Sequence, residues 1–266
     1  MRAKTRKVLF IYSLVVFAFL YIPIIVLIVF SFNDSKLGTV WTGFTFDWYI
    51  KLFSNSHIHA ALLNSLFVAM ITTILSTIFG TLAALALYRY TFVGKRSIDF
   101  LFLIPVIIPD IVIAVALLAI YGLLNINLGL LTVIPGHVVW GISFVMLVVL
   151  ARLSGLDRSL EEAAKDLGAN EWQTFWRVTF PLIFPGILAG ALLTFTLSLD
   201  EFEVAFFTAG PGSSTLPVLV YSMVRLGVSP EINALSTILI LVVIIAIIIW
   251  GVFINKTKDN RGSLND

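Results

Sequence analysis

Cysteine is absent from this chain. That excludes disulfides, thiolate zinc sites, iron–sulfur clusters and cysteine nucleophiles. Charge is scarce as well: Asp, Glu, Lys and Arg make up 12% of 266 residues. A soluble domain carries roughly 25%. Too few charges remain to solvate a globular surface, so a soluble enzyme is excluded, and with it a disordered or fibrous chain. What is plentiful is apolar: 59% hydrophobic residues, 22 of the total being Phe, with mean hydropathy +1.04. The composition is that of a polytopic membrane protein.

A bilayer core about 30 Å thick needs about 20 apolar residues in a helix. Uncharged runs of that length cover 8–32, 60–88, 178–199 and 232–255. The run 111–151 is too long for one helix, and Asn125, Asn127, Gly129, Pro135 and Gly136 break it. It is read as one helix over 98–123 and another over 135–153. The stretch 204–224 is interrupted at 210–217 and reads as a loop or re-entrant segment. Six spans follow, with both termini on one side. With that side cytoplasmic, 14 of the 17 Lys and Arg lie on it, leaving Lys36, Lys51 and Arg225 outside. The first apolar run is too long for a signal peptide and lacks a small-residue cleavage site after it. No internal boundary is visible, so 1–266 reads as one transmembrane domain.

The loop at 154–181 is the most informative segment. Ser159 and Glu162 have capping-box spacing, Gly168 suits a left-handed helix end, and Asn170 and Gln173 repeat the box. The second helix is expected to stop near Pro181. One reading is a solvated linker. DNA binding is disfavoured by the loop's net charge of −2, which repels phosphate. A third reading is a docking element for a cytoplasmic partner.

Other chemistry is thin. The Gly94-Lys95 pair lacks the first Gly and the following Ser or Thr of a phosphate loop. Any ATP hydrolysis therefore belongs to a partner. His57 and His59 alone make a poor metal site, and no metal is expected. His137 reads as a packed or interfacial residue. Asn33-Asp34-Ser35 fits a glycosylation pattern that is common by chance.

Carboxylates in a span cost on the order of 3 kcal/mol on insertion scales, so they usually face a cavity or a partner. Asp110 is expected near the middle of the third span. Asp200, Glu201 and Glu203 follow the fifth uncharged run. Helical spacing would put Thr196, Asp200, Glu203 and Phe207 on one face. The group at 200–203 could be a solvated helix end, and Asp110 a structural partner for another helix. The functional reading is an acidic lining for a cation. Phe202, Phe206, Phe207 and Tyr221 would supply aromatic walls suited to amines joined by methylenes.

Two sets of residues carry a family resemblance. Glu162-Ala163-Ala164, three residues, Gly168, nine residues, then Val178-Thr179-Phe180-Pro181 resembles the EAA motif of ABC-importer permeases. Val178 and Phe180 replace the usual Ile and Leu. The segments Ile108-Pro109-Asp110-Ile111-Val112, Leu197–Phe202, Tyr221–Ala234 and Ala86-Leu87-Tyr88-Arg89-Tyr90 are similar to those of spermidine/putrescine permeases, the second, C-type subunit in particular. The resemblance implies an all-α type I ABC importer permease, non-catalytic, with six transmembrane helices. It implies that Glu162, Ala163, Ala164, Gly168 and Pro181 couple to an ATPase dimer that binds the ATP and Mg. It implies a homologous permease partner, an extracytoplasmic substrate-binding protein and a polyamine substrate. Asp110, Asp200, Glu201 and Glu203 would then line the substrate pathway. The alternatives are a permease for another solute, an ion-coupled secondary carrier, or a membrane-embedded enzyme, for which no catalytic set is recognisable.

Overall fold

The computed structural model describes residues 3–35, 40–157, 159–227 and 229–262. Three basic residues used above for topology, Arg2, Lys36 and Arg158, lie outside them. Among the described residues all regular structure is helical, apart from one isolated bridge between Asn33 and Phe44. The helices are α1 Ala3–Phe30, α2 Asp47–Ser54, α3 Ser56–Arg89, α4 Lys95–Ile107, α5 Asp110–Leu123 and α6 Leu130–Ser154. They continue as α7 Ser159–Asp166, α8 Glu171–Thr174, α9 Phe180–Asp200, α10 Glu203–Thr208, α11 Leu216–Leu226 and α12 Pro230–Gly262. The polar segment from Lys256 to Gly262 continues α12.

Four helices are long and apolar enough to cross a membrane: Arg6–Phe30, Ser56–Arg89, Leu130–Ser154 and Glu171–Asp200. A fifth crossing follows if α4 and α5 count as one. The remaining expected span falls on α12, whose apolar stretch Pro230–Ala246 is shorter.

The expected straight helix over 98–123 is not formed. It breaks between α4 and α5, and the axis turns through 101°. Proline explains the break. Pro109 has no N–H to donate, and its ring pushes Ile108 out of the helical region. Ile108 is accordingly extended at ψ 135°, and Pro109 follows at ψ 136°. Asp110 therefore opens a helix instead of sitting inside one. A carboxylate there meets the positive end of the α5 dipole.

The chain forms two compact units. One comprises residues 1–56 and 220–266, where α1 and α2 both pack on α12. Trp48 Nε1 donates to the Asn33 carbonyl at 2.7 Å, and Asn55 Nδ2 donates to Glu231 Oε1 at 2.9 Å. The Asn33 side chain is buried, donating to Val40 O and accepting from Thr42 N, so its glycosylation pattern is inaccessible. Phe32, Phe44, Phe46 and Tyr49 stack together, as aromatics do at a membrane–water boundary.

The other unit, residues 57–219, is built around α6, with α9, α4, α5 and α10 packed on it. Glycines let the helices approach closely, as is usual in membranes. A Cβ on Gly80 of α3 would lie 2.7 Å from Val145 Cβ of α6, and one on Gly190 of α9 would lie 3.2 Å from Val145 Cα. Val145, Met146, Val149, Leu153, Ala84, Leu87 and Ile183 form the apolar cluster between these helices.

This packing yields a contrast. Gly80→Ala should lower the stability of the detergent-solubilised protein by about 1–3 kcal/mol through overpacking. Gly122→Ala, in α5 with nothing within 4 Å of the new methyl, should be neutral or stabilising by about 1 kcal/mol through helix propensity. Thermal melts of the two variants check the order. Equal losses would show that contact at Gly80 is not what limits the approach.

Candidate functional site

Asp110, Asp200, Glu201 and Glu203 all line one cavity of about 450 Å³. That volume lies in the range of small-molecule sites, roughly 300–1,000 Å³. The geometry that brings them together is not the expected one. Helix α9 ends at Asp200, Glu201 is extended at ψ 123°, and α10 starts at Glu203. The single face of Thr196, Asp200, Glu203 and Phe207 therefore does not exist. Instead the α4–α5 break delivers Asp110, and the α9–α10 break delivers the other three.

The four carboxylates differ in setting. Asp110 and Asp200 are exposed, and Glu203 is half-buried. Glu201 is 8% exposed. Its Oε1 accepts the Val204 N–H at 2.7 Å, and its Oε2 accepts the Ala205 N–H at 3.2 Å. Glu201 thus satisfies the N-terminal amides of α10, which have no partner within their own helix. His137 Nε2 lies 2.9 Å from Glu201 Oε2, at ion-pair distance. Neither Lys nor Arg is among the residues lining the cavity.

The aromatic wall is also different. Trp140 and Phe144 of α6 line the cavity, whereas Phe202, Phe206, Phe207 and Tyr221 do not. Trp140 and Phe144 are four apart, so one helix face carries both, with their rings 5.9 Å apart edge to face. His137 lies one turn earlier on that face, buried at 1% exposure and so packed rather than interfacial. That periodicity was the available signal for all three. Cross-links hold the wall in place: Tyr121 OH donates to Thr132 O at 2.9 Å, and Thr132 Oγ1 donates to Thr208 O at 2.8 Å. These tie α5, α6 and α10.

A second site is the segment from α7 to α9. Ser159 is already helical, and the Asp157 carboxylate, not the Ser159 hydroxyl, takes a first-turn N–H at 3.0 Å. That backbone N–H and the Ser159 hydroxyl hold the Asp157 carboxyl below its ordinary carboxylate pKa. Gly168 ends α7 at φ +88°. The Gly168 N–H reaches Lys165 O at 2.8 Å, and the Ala169 N–H reaches Ala164 O at 3.0 Å, the paired bonds of a Schellman end. The second capping box forms as read: Asn170 and Gln173 exchange bonds of 2.9 and 3.1 Å.

The chain does not stop at Pro181. From α8 it passes through a π-helical turn, Phe175–Thr179, straight into α9. Pro181 is the second residue of α9. The wider turn before it relieves the clash that a proline ring makes with the carbonyl four residues back.

Glu162, Ala163 and Gly168 are exposed, Ala164 is half-buried, and Pro181 is exposed on the helix that follows. Around them Leu167, Trp172 and Trp176 stand out at 90%, 70% and 45% exposure. The residue missed was the neighbouring Glu161. Its Oε1 takes Arg89 Nη2 at 2.8 Å and the Thr179 hydroxyl, while Arg89 also donates to Thr179 at 3.0 Å. This triangle ties α7 to the ends of α3 and the π turn. Nothing in linear spacing joins residues 72 and 90 positions from Arg89. His57 and His59 open α3, and no group of three His, Asp or Glu side chains suited to a metal occurs among the described residues.

The sequence pattern of the family described as "binding-protein-dependent transport system inner membrane component" matches residues 76–258. The chain belongs to that family. The spermidine/putrescine transport system permease protein PotC of Escherichia coli (strain K12) is 42% identical over 94% of this chain and 95% of its own length. The putrescine transport system permease protein PotI of the same strain is 42% identical, over 91% and 89%. Among solved structures, a bacterial ABC transporter that imports the acidic polysaccharide alginate matches with TM-score 0.71 at 18% identity, covering 95% of this chain and 97% of that one. The fold is that of an ABC importer permease. The chain is thus an all-α, multi-pass inner-membrane permease subunit rather than an enzyme.

The Arg89 triangle gives a test. Arg89→Gln should free α7, raising amide hydrogen exchange across 159–166 by about tenfold, roughly 1.4 kcal/mol of local opening. Glu161→Gln should do the same, and the double variant should add little, because one network is lost either way. Additive effects would mean the two side chains act independently.

Proposed function

We propose that this chain forms one half of the translocation pathway of an ATP-driven importer for polyamines. The observation that carries the substrate class is the cavity in which Asp110, Asp200, Glu201 and Glu203 meet Trp140 and Phe144 with no Lys or Arg in the lining. Such a lining attracts ammonium groups and accommodates the methylenes between them. The names of the relatives PotC and PotI point the same way. Asp110 and Asp200, being exposed, would make the transient contacts. A carrier needs contacts weak enough to release its cargo.

The chain would cross the membrane six times with both termini cytoplasmic, as the basic residues indicate. A homologous permease would complete the pathway. An extracytoplasmic binding protein would deliver substrate; a solved neighbour, the alginate transporter, was captured with such a protein. Two ATPase subunits would bind ATP and Mg. Glu162, Ala163, Ala164 and Gly168, with Pro181 beyond them, would form the docking element. Its supports are the double-bonded end at Gly168, the capping box of Asn170 and Gln173 and the exposed Trp172 and Trp176. A compact, capped helix transmits a push without bending.

Two variants test the two ends. Glu162→Lys reverses a charge at the docking surface. Spermidine uptake by the complete set of subunits should fall about tenfold or more, roughly 1.4 kcal/mol or more in coupling, with normal amounts in the membrane. Normal uptake would sink the coupling role. Asp200→Asn should cut spermidine flux about tenfold per assembled complex. A fall in assembly that matches the fall in flux would make Asp200 structural. Uptake that survives loss of the ATPase but collapses with the ion gradient would replace the importer by a secondary carrier.

A further inference from the structure

Helix α2 carries two apolar faces. Trp48 and Leu52 form a buried one, and α2 packs on α12. The other is open: Phe46, just before the helix, and Ile50 and Phe53 within it stand 57%, 66% and 65% exposed. They are spaced four and three apart, so they form one stripe. Phe44 extends it, exposed as well, with its ring 5.0 Å from that of Phe46. The two charges of α2, Asp47 and Lys51, are four apart and share a separate line. Lys51 Nζ lies 4.4 Å over the Trp48 ring. The stripe itself holds neither a charge nor a hydrogen-bonding side chain. A contiguous apolar patch of this kind marks an interaction surface.

Two apolar helices set the level of the stripe. Helix α1 ends at Phe30, and just beyond it Trp48 donates to the Asn33 carbonyl at 2.7 Å, while the Tyr49 and Ser31 hydroxyls meet at 2.6 Å. Helix α12 starts at Pro230, and Asn55, the residue after α2, donates to Glu231 at 2.9 Å. So α2 is strapped across the end of one apolar helix and the start of another. The span Arg6–Phe30 measures about 37 Å at 1.5 Å per residue. The hydrocarbon layer is about 30 Å thick, so the end of α1 reaches headgroup level and α2 lies there with it.

We infer that α2 is an interfacial helix, and that the stripe of Phe46, Ile50 and Phe53 seats it on the phospholipid of that leaflet, the outer one in the topology proposed above. The partner is the glycerol and upper acyl region of the lipid, with Asp47 and Lys51 at the wet edge. Lipid fits this stripe better than a binding protein does. A soluble partner that comes and goes meets a surface with a polar rim and about one hydrogen bond per 100–200 Å², and the stripe supplies none. Contact with lipid also continues along α1, whose apolar stretch buries no side chain within the chain. Because α2 is tied to both α1 and α12, the seat sets the depth of both.

The chain has no cysteine, so single-cysteine variants place a spin label at chosen sites. Ile50→Cys, Phe53→Cys and Lys51→Cys are each assembled with cysteine-free partner subunits in liposomes of phosphatidylethanolamine and phosphatidylglycerol. Collisions with oxygen, which dissolves in lipid, and with a nickel chelate, which stays in water, give the depth of each label. The labels replacing Ile50 and Phe53 should lie about 5–10 Å below the phosphates, and the label replacing Lys51 at or above them. Labels on the stripe as open to nickel as the one at Lys51 would put the stripe in water and overturn the inference. Shielding of the stripe from both reagents would mean that protein covers it, which overturns the inference too. Shielding that appears only when the binding protein is added would make the stripe that protein's dock instead of a lipid seat. The unaltered complex gives a second reading, needed if the variants fail to assemble. A phospholipid with a photoreactive group at the top of its acyl chain should mark residues 44–53. Marks confined to other segments would overturn the inference.

Discussion

Pro109 has no N–H to offer the carbonyl of Pro105, and the chain turns there through 101°. Much of the unit at 57–219 depends on that missing bond. It ends α4, starts α5 at Asp110 and sets α5 against α10. A straight span would carry Asp110 on a helix side, facing whichever neighbour packed there. The broken one presents it at a helix start, beside the open end of α9. Two interrupted helices thus meet at one cavity, and irregular backbone within a membrane protein is tolerated where it lines a cavity.

The polar chemistry follows from that meeting. Glu201 closes the amides left free at the start of α10, and Ser198 Oγ meets Nδ1 of His137, whose Nε2 lies 2.9 Å from Glu201 Oε2. Asp110 and Asp200 lie outside this group, exposed at the cavity.

The sequence was most legible where local rules suffice. Charge scarcity and run length gave the membrane class, and Gly168, Asn170 and Gln173 adopt the turn and cap their identities predict. The four carboxylates were found because charge in an apolar run is rare. How they converge was not legible. A helix drawn through Pro109 overlooks its missing N–H, and one drawn past Asp200 overlooks the extended turn at Glu201. The aromatic wall was sought next to the acids in sequence, whereas it comes from α6, at Trp140 and Phe144. Arg89, Glu161 and Thr179 come from three distant segments, and only the fold brings them together. At Pro181 a helix-stop rule lost to a π turn, which no residue pattern announces.

That continuity through Pro181 fixes a length. Glu171 to Asp200 is one helical rod of 30 residues, about 45 Å at 1.5 Å per residue. The hydrocarbon layer is about 30 Å thick. Hiding the whole rod inside it would need a tilt near 48°, beyond the roughly 40° that spanning helices reach. So the rod must protrude. Upright, it leaves about 15 Å of its length, roughly ten residues, outside the hydrocarbon layer.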